Sequence, residues 1–351
     1  LHQINEPVFE YTSGYLATKQ ALIDSINANP AKKLVTTYLP SGYVTDGSVN
    51  YTTQLNTALS AGGDVIMPNF PIMIDGANNA PVRNNTRLLF QANSELWVKP
   101  GYNGYNYDIL MLRGRNNVTV IDANIRGDKG YGGLSALSYE RGQGINLGGC
   151  QNITLYDPVV HDCWGDGIYI GQTGSTVNCK NVIIKDAYLR KNRRDGISII
   201  GVDGLLLDNI YAGYSDGTAP MSGINFEPNN TSCEIKNIRI NNPKTEYNGS
   251  NGIQIGLKNM LTSVNKTSNF AIYNHIDIGS PRYAFKMMCN PASGTAGKMK
   301  GLINLINPTW NKAGTDLPLY LSTNQVNLKT TASSPEVMNL SGKILSYTEA
   351  Y

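Results

Sequence analysis

Charge is scarce in this chain. Asp, Glu, Lys and Arg together make up 16% of its 351 residues, the net charge is +3 and the pI is about 8.4. A balance this mild, with no basic run and no aromatic-basic recognition motif, argues against nucleic acid as a partner. It is compatible with an acidic polysaccharide. Histidine is rarer still, at three residues. The five cysteines show neither a CxxC nor a Cys/His spacing, so neither a metal centre nor a cofactor is expected. No run of about 18 apolar residues occurs, which excludes a conventional membrane-spanning helix. Leu1 opens the chain without a charged n-region or an apolar h-region, as expected of a processed or excised piece of something larger. The sequons at Asn117 and Asn152 fall inside expected strands, where a glycan would block stacking, so a eukaryotic secretory origin is not expected.

What the chain does have is turn residues and a repeat. With 36 Gly, 16 Pro and 41% hydrophobic residues it suits a sheet-rich protein with many turns, and does not suit disorder or a coiled coil. Asn152-Ile153-Thr154-Leu155-Tyr156-Asp157 leads, across a polar corner, to Asp166-Gly167-Ile168-Tyr169-Ile170. Asn181 to Asp186 leads in the same way to Asp195-Gly196-Ile197-Ser198-Ile199, and Asn237 to Asn242 leads to Asn251-Gly252-Ile253-Gln254-Ile255. Two alternating apolar segments per repeat predict two strands per turn of a coil. Marked on Asn117, Asn152, Asn181, Gly204, Asn237, His275 and Leu302, the repeats recur at intervals of roughly 23 to 38 residues, inside the solenoid range. Stacking fixes strands and lets loops vary, so a loose period with constant strand grammar predicts a single-stranded right-handed parallel β-helix.

The expected organisation is a linker and helical region over 1–45, the β-helix over 46–330 and a tail or cap over 331–351. Tyr15 to Ile26 reads as a short amphipathic helix, to pack on the solenoid or to join an upstream stalk or neighbouring subunit. Tyr51 to Ser60 reads as a second helix closed by Ala61-Gly62-Gly63, followed by the strand Asp64-Val65-Ile66-Met67-Pro68. An insertion of about a dozen residues between Asp122 and Gly144, from Asp128 onward, and another from Leu261 to Phe270 are expected to form binding walls or flaps. Cys150 and Cys179, each two positions before a repeat Asn, should stack about 4.8 Å apart, as buried free thiols or as a disulfide.

In a β-helix a column of the alignment is a column in space. The corner column reads Gln143, Asp166, Asp195, Ser222 and Asn251, and Asp316 matches Asp166 in a later repeat. It is an ordinary polar ladder or a substrate site, because stacked carboxylates raise one another's pKa, bind a cation or find basic neighbours. Lys191, Arg193 and Arg194 lie beside Asp195, and His161, Asp162 and Trp164 beside Asp166. The column at the far end of the strand reads Gly148, Gly171, Ile200, Glu227 and Gly256, placing a Glu on a flat floor. Glu227 lies five residues beyond the corner, roughly 16 Å along a straight strand. That exceeds the spacing of either glycosidase carboxylate pair. A bend, Asp203 as partner, an Asp166–Asp195 pair or a neighbouring chain would each remove the conflict.

The capping segment and the phrases Gly165 to Gly171, Asn192 to Ile199 and Gly223 to Asn229 resemble those of the bacteriophage tailspike depolymerases within the pectin-lyase-like superfamily. The resemblance covers roughly residues 46 to 325. It implies homotrimers on a phage tail that bind and cleave a bacterial capsule, exopolysaccharide or O-antigen. Hydrolysis would use Glu227, Asp195 and Asp166, with Arg193, Arg194, His161, Trp164, Tyr169 and Lys258 shaping the sugar sites. β-Elimination would need a base such as His161, Lys191 or Lys258. A non-cleaving adhesin is the third expectation, since fold does not establish activity.

Overall fold

The computed structural model describes residues 15–76, 82–100, 107–130, 140–261, 266–289, 299–312, 319–322, 327–333, 336–339 and 344–346. The chain is a right-handed parallel β-helix of about eight turns. Each full coil contributes one strand to each of three sheets, which hold 12, 11 and 8 strands among the described residues. The sequence predicted two strands per coil. The missed one runs through the polar corner, at Val159–His161, Tyr188–Arg190 and Tyr211–Gly213. Three residues are too few to display a period of two, which is why the pattern hides it.

The repeat's asparagines have a geometric cause. Asn117, Asn152 and Asn181 all adopt φ between 52° and 56°, a left-handed conformation that Asn tolerates better than most residues. Their amides form a ladder in which Asn181 donates to Asn152, Asn152 to Asn117 and Asn117 to Asn85, at 3.0, 2.9 and 2.9 Å. Inside, Ile153, Val182, Leu205 and Ile238 stand in register and are buried, as do Leu155, Ile184, Leu207 and Ile240. Cys150 and Cys179 are free buried thiols donating to Leu112 O and Leu147 O.

Helix α2 (Thr52–Ala61) buries Leu55, Ala58 and Leu59 against the interior with Val35 and Val65. It covers strand edges that would otherwise invite pairing with another chain. Helix α1 (Tyr15–Ala28) lies on the outside of the first sheet: Ile26 packs with Ile66, Leu89 and Ile121, and Lys19 Nζ bridges Asp122 and Asp157 at 2.5 Å each. Strand Lys33–Leu34 already belongs to the first sheet, and Glu336–Asn339 and Ile344–Ser346 to the second. Residues 131–139 of the first insertion, 262–265 of the second and Asp316 lie outside the described residues.

A polar cluster around His275 lies within the core. Trp310 Nε1 donates to His275 Nδ1 at 3.1 Å, so a neutral imidazole carries its proton on Nε2, facing Thr245 Oγ1 at 2.8 Å. The Thr245 hydroxyl in turn donates to Asp277 at 2.6 Å. Burial pushes His275 down to about 3. The unfolded chain therefore binds a proton near pH 6.5 that the folded chain refuses, and stability is lost as pH falls from about 6.5 toward 3. Relative to a His275→Gln variant, the parent should lose on the order of 4 kcal/mol across that window. Urea unfolding of both proteins at several pH values checks this, and parallel curves would show that His275 does not titrate on unfolding.

Candidate active site

The third sheet builds the site. Its short strands point Ile145, Ile168, Ile197, Ile224 and Ile253 inward, leaving Asn146, Tyr169, Ser198, Asn225 and Gln254 in register on the outer face. At the preceding corner, Asp166 and Asp195 are fully buried. Each secures the next coil: Asp195 N donates to Asp166 Oδ1 at 3.1 Å, and Ser222 N to Asp195 Oδ1 at 2.7 Å. Asn225 Nδ2 donates to the other oxygen of Asp195 at 3.0 Å.

Arg194 joins these acids to the surface. Its Nη1 lies 3.3 Å from Asp166 Oδ2, and its Nη2 lies 3.6 Å from Glu227 Oε1 and 3.7 Å from Glu140 Oε2. Both glutamates thus share one nitrogen, so their two oxygens are no more than about 7.3 Å apart, within reach of the separations glycosidase carboxylates use. Glu227 also accepts from Ser198 Oγ at 3.2 Å. The carboxylate brought to Glu227 is therefore Glu140, not the corner Asp195 set roughly 16 Å away along a straight strand. Glu227 leans back to Ser198 of the preceding coil while Arg194 reaches forward from the corner.

Burial pushes Asp166 up to about 6, opposed by Arg194 and reinforced by Glu227. Asp195 is raised by burial, by Asp166 and by Glu227. Although burial opposes its charge, Arg194 is held above its usual range by Asp166, Asp195 and the two glutamates. One cation thus serves four carboxylates, two beneath it and two in front.

In front of Arg194 opens a cleft of about 300 Å³ whose walls include Glu227, Glu140, Arg141, Asp108, Arg113, Asn146 and Tyr169. Tyr169 lies flat on Gly171: a Cβ there would sit 2.2 Å from its Cε1. Gly171→Ala should therefore turn the ring off the floor while leaving the coil intact. A crystal structure of the variant checks this, and an unmoved ring would mean that the backbone, not the ring, gives way. Burial, and then Asp166, raises the Tyr169 hydroxyl to about 12, so it remains a donor at neutral pH. Asp108 is raised by burial, which outweighs its bond from Asn146 and the nearby Arg113 and Arg141.

Of the residues singled out in the sequence, Glu227, Arg194 and Tyr169 line the cleft together with Gln143 and Ile200 of the two columns, and Asp166 and Asp195 lie beneath it. The remaining catalytic and sugar-site candidates are elsewhere. Arg193 stacks on Trp164, 4.3 Å from the ring centroid, with both side chains largely buried. His161 pairs with Asp162 at 2.7 Å on the second sheet. Asp203 pairs with Lys236 at 3.2 Å on the first. Lys258 is exposed at the start of a helical turn, Lys258–Met260. Neither His161, Lys191 nor Lys258, the bases an elimination would draw on, lines the cleft. Glu140, Arg141, Asp108 and Arg113 were missed. The last two continue the corner and floor columns one coil earlier, since Asp108 pairs in register with Gln143, and extending the alignment would have found them.

A scan against known protein families finds no match. Two curated proteins of Bacillus subtilis are similar: the uncharacterized protein YclG, 27% identical over 213 residues, and the SPbeta prophage-derived uncharacterized protein YorA, 27% identical over 203. These alignments cover 53% and 54% of this chain but only 36% and 32% of the relatives, so the chain spans about a third of their length. Among solved structures, the surface adhesin PfbA of Streptococcus pneumoniae superposes with a TM-score of 0.58 at 12% identity, covering 88% of this chain and 89% of that one. Bacteriophage phi29 gene product 12 also gives 0.58, at 15% identity over 91% and 44% of the two chains. An iota-carrageenase gives 0.55, at 10% identity over 90% and 92%. At these identities the likeness is one of fold.

Proposed function

We propose that the chain binds a bacterial surface polysaccharide along its third sheet and cleaves it by endo-glycosidic hydrolysis. The observation that carries this reading is the meeting of Glu227 and Glu140 on one nitrogen of Arg194 at the floor of a polar cleft. Hydrolysis needs one carboxyl group to protonate the glycosidic oxygen and a second to attack the sugar or activate water, around an oxocarbenium-like transition state. Glu227, fixed by Ser198 and Arg194, and Glu140, carried by the insertion, supply these two carboxyl groups. Asp166 and Asp195 act through Arg194, holding it where both glutamates meet it. Tyr169, Arg113 and Asn146 position the sugars.

The prophage-derived relative and the phage and carrageenase folds support a tailspike depolymerase; its assembly as a homotrimer on the virion rests on the sequence resemblance. Binding without cleavage is the second reading. It is favoured by the pairing of both cleft glutamates with the same guanidinium, and by the adhesin fold.

The test is incubation with purified capsular and O-antigen polysaccharides from a panel of strains, followed by mass spectrometry of the products. Oligosaccharides at repeat-unit mass plus water are expected. Products lacking that water would replace hydrolysis by elimination, and polymer bound but uncut across the panel would leave the adhesin reading.

A further inference from the structure

A second recess of about 340 Å³ opens on the same sheet, lined by Arg282, Tyr283, Lys286, Met288 and Tyr320. Its alignment with the first cleft follows from the register. Asn225 pairs with Gln254, Gln254 with Lys286 and Lys286 with Tyr320, so Lys286 stands two coils from Asn225, about 10 Å along the axis. The floor column runs in parallel: Gly256, one coil beyond Glu227, pairs with Met288. Gly256 leaves the way open, since a Cβ there would meet only Phe226 O at 3.6 Å and Met288 Cε at 3.8 Å.

The two recesses differ in charge. In the first, Arg194 is met by carboxylates. In the second, no carboxylate among the described residues pairs with Arg282 or Lys286. The Lys286 ammonium lies 5.9 Å from the centre of the Tyr283 ring, and the Tyr283 and Tyr320 rings are 5.1 Å apart with a 41° tilt. Burial and the neighbouring Arg282 both push Lys286 down. Two cations in a half-enclosed recess, with no counter-charge among the described residues, favour an anion, and ring faces beside them suit the apolar face of a sugar.

We infer that this recess is a second saccharide subsite, selective for a sugar carrying an anionic group, a uronate carboxylate or a sulfate, two coils or about 10 Å along the axis beyond the coil that carries Glu227. The direction of the polymer rests on the depolymerase reading. The recess and its charge do not.

The experiment is calorimetric titration of the full chain with a short oligogalacturonate, a sulfated galactan oligosaccharide and a neutral maltooligosaccharide, with cleavage of the polysaccharide panel assayed separately. The parent should bind one or both anionic probes and discriminate against the neutral one, the tighter of the two identifying the group. Arg282→Met combined with Lys286→Met should weaken anionic binding by about tenfold, the worth of a charge-assisted hydrogen bond. Lys286→Glu should weaken it further. Equal binding of all probes, no binding, or a double variant that binds as the parent does would each overturn the subsite. Charge-dependent binding with the whole panel uncut would sustain the subsite and remove the depolymerase reading. Cleavage without charge dependence would do the reverse.

Discussion

Glu227→Gln is expected to lower the rate of polysaccharide cleavage by at least about a hundredfold, the lower end of what a positioned acid-base group contributes. Folding should survive, because the amide keeps the shape of the carboxylate and its bond with Ser198. Polymer binding should survive as well, so the loss should fall on kcat and not on KM. Glu140→Gln should behave alike if the two act as a pair, with the double variant little worse than either single one. The measurement is the release of reducing ends from a cleaved polymer, with the anomer of the first product read by NMR. A pair nearer about 5.5 Å during reaction gives retention, and one beyond about 6.5 Å, with room for water, gives inversion. Activity of Glu227→Gln within threefold of the parent would remove Glu227 from the chemistry.

Arg194→Met is expected to do more, because it removes a structural counter-charge along with the cleft. Asp166 and Asp195 are buried in adjacent coils, and Arg194 is the cation that opposes their mutual repulsion. Removing one partner of a buried ionic cluster costs about 3–5 kcal/mol, since the remaining charge must be protonated or stay uncompensated. Urea unfolding of the variant near pH 7 should show a loss of that size. Adding Asp166→Asn should restore part of it, because the amide needs no counter-charge, while cleavage should stay lost. A variant as stable as the parent would mean that the hydrogen bonds from Ser222, Asn225 and the Asp195 amide suffice to hold the two acids.

Much of the fold was legible from strand grammar alone. In Ile153, Leu155, Ile168 and Ile170 every second residue is apolar, and the core is made of those residues. The third strand was not legible, because Val159–His161 is too brief for a pattern. Glu227 and the corner aspartates could be found because a column in the alignment becomes a column in space. Arg193, His161, Trp164 and Lys258 were drawn in by proximity in sequence to Asp166, Asp195 or Gly256. A coil with three sides sends near neighbours in sequence to different faces: His161, five residues before Asp166, belongs to the second sheet.

The sequence by itself therefore determined the periodic part of this protein: the coils, the inward residues, the asparagine ladder and the levels at which Asp166, Asp195 and Glu227 stand. These follow from local conformation and a strand spacing that every coil repeats. Only the tertiary structure decided that Arg194 would span from the corner to Glu227, and that an insertion would return Glu140 to the same nitrogen. Side-chain reach and the path of an irregular loop have no period. They are set by which charges burial leaves in need of a partner, and that is fixed once the coils have stacked.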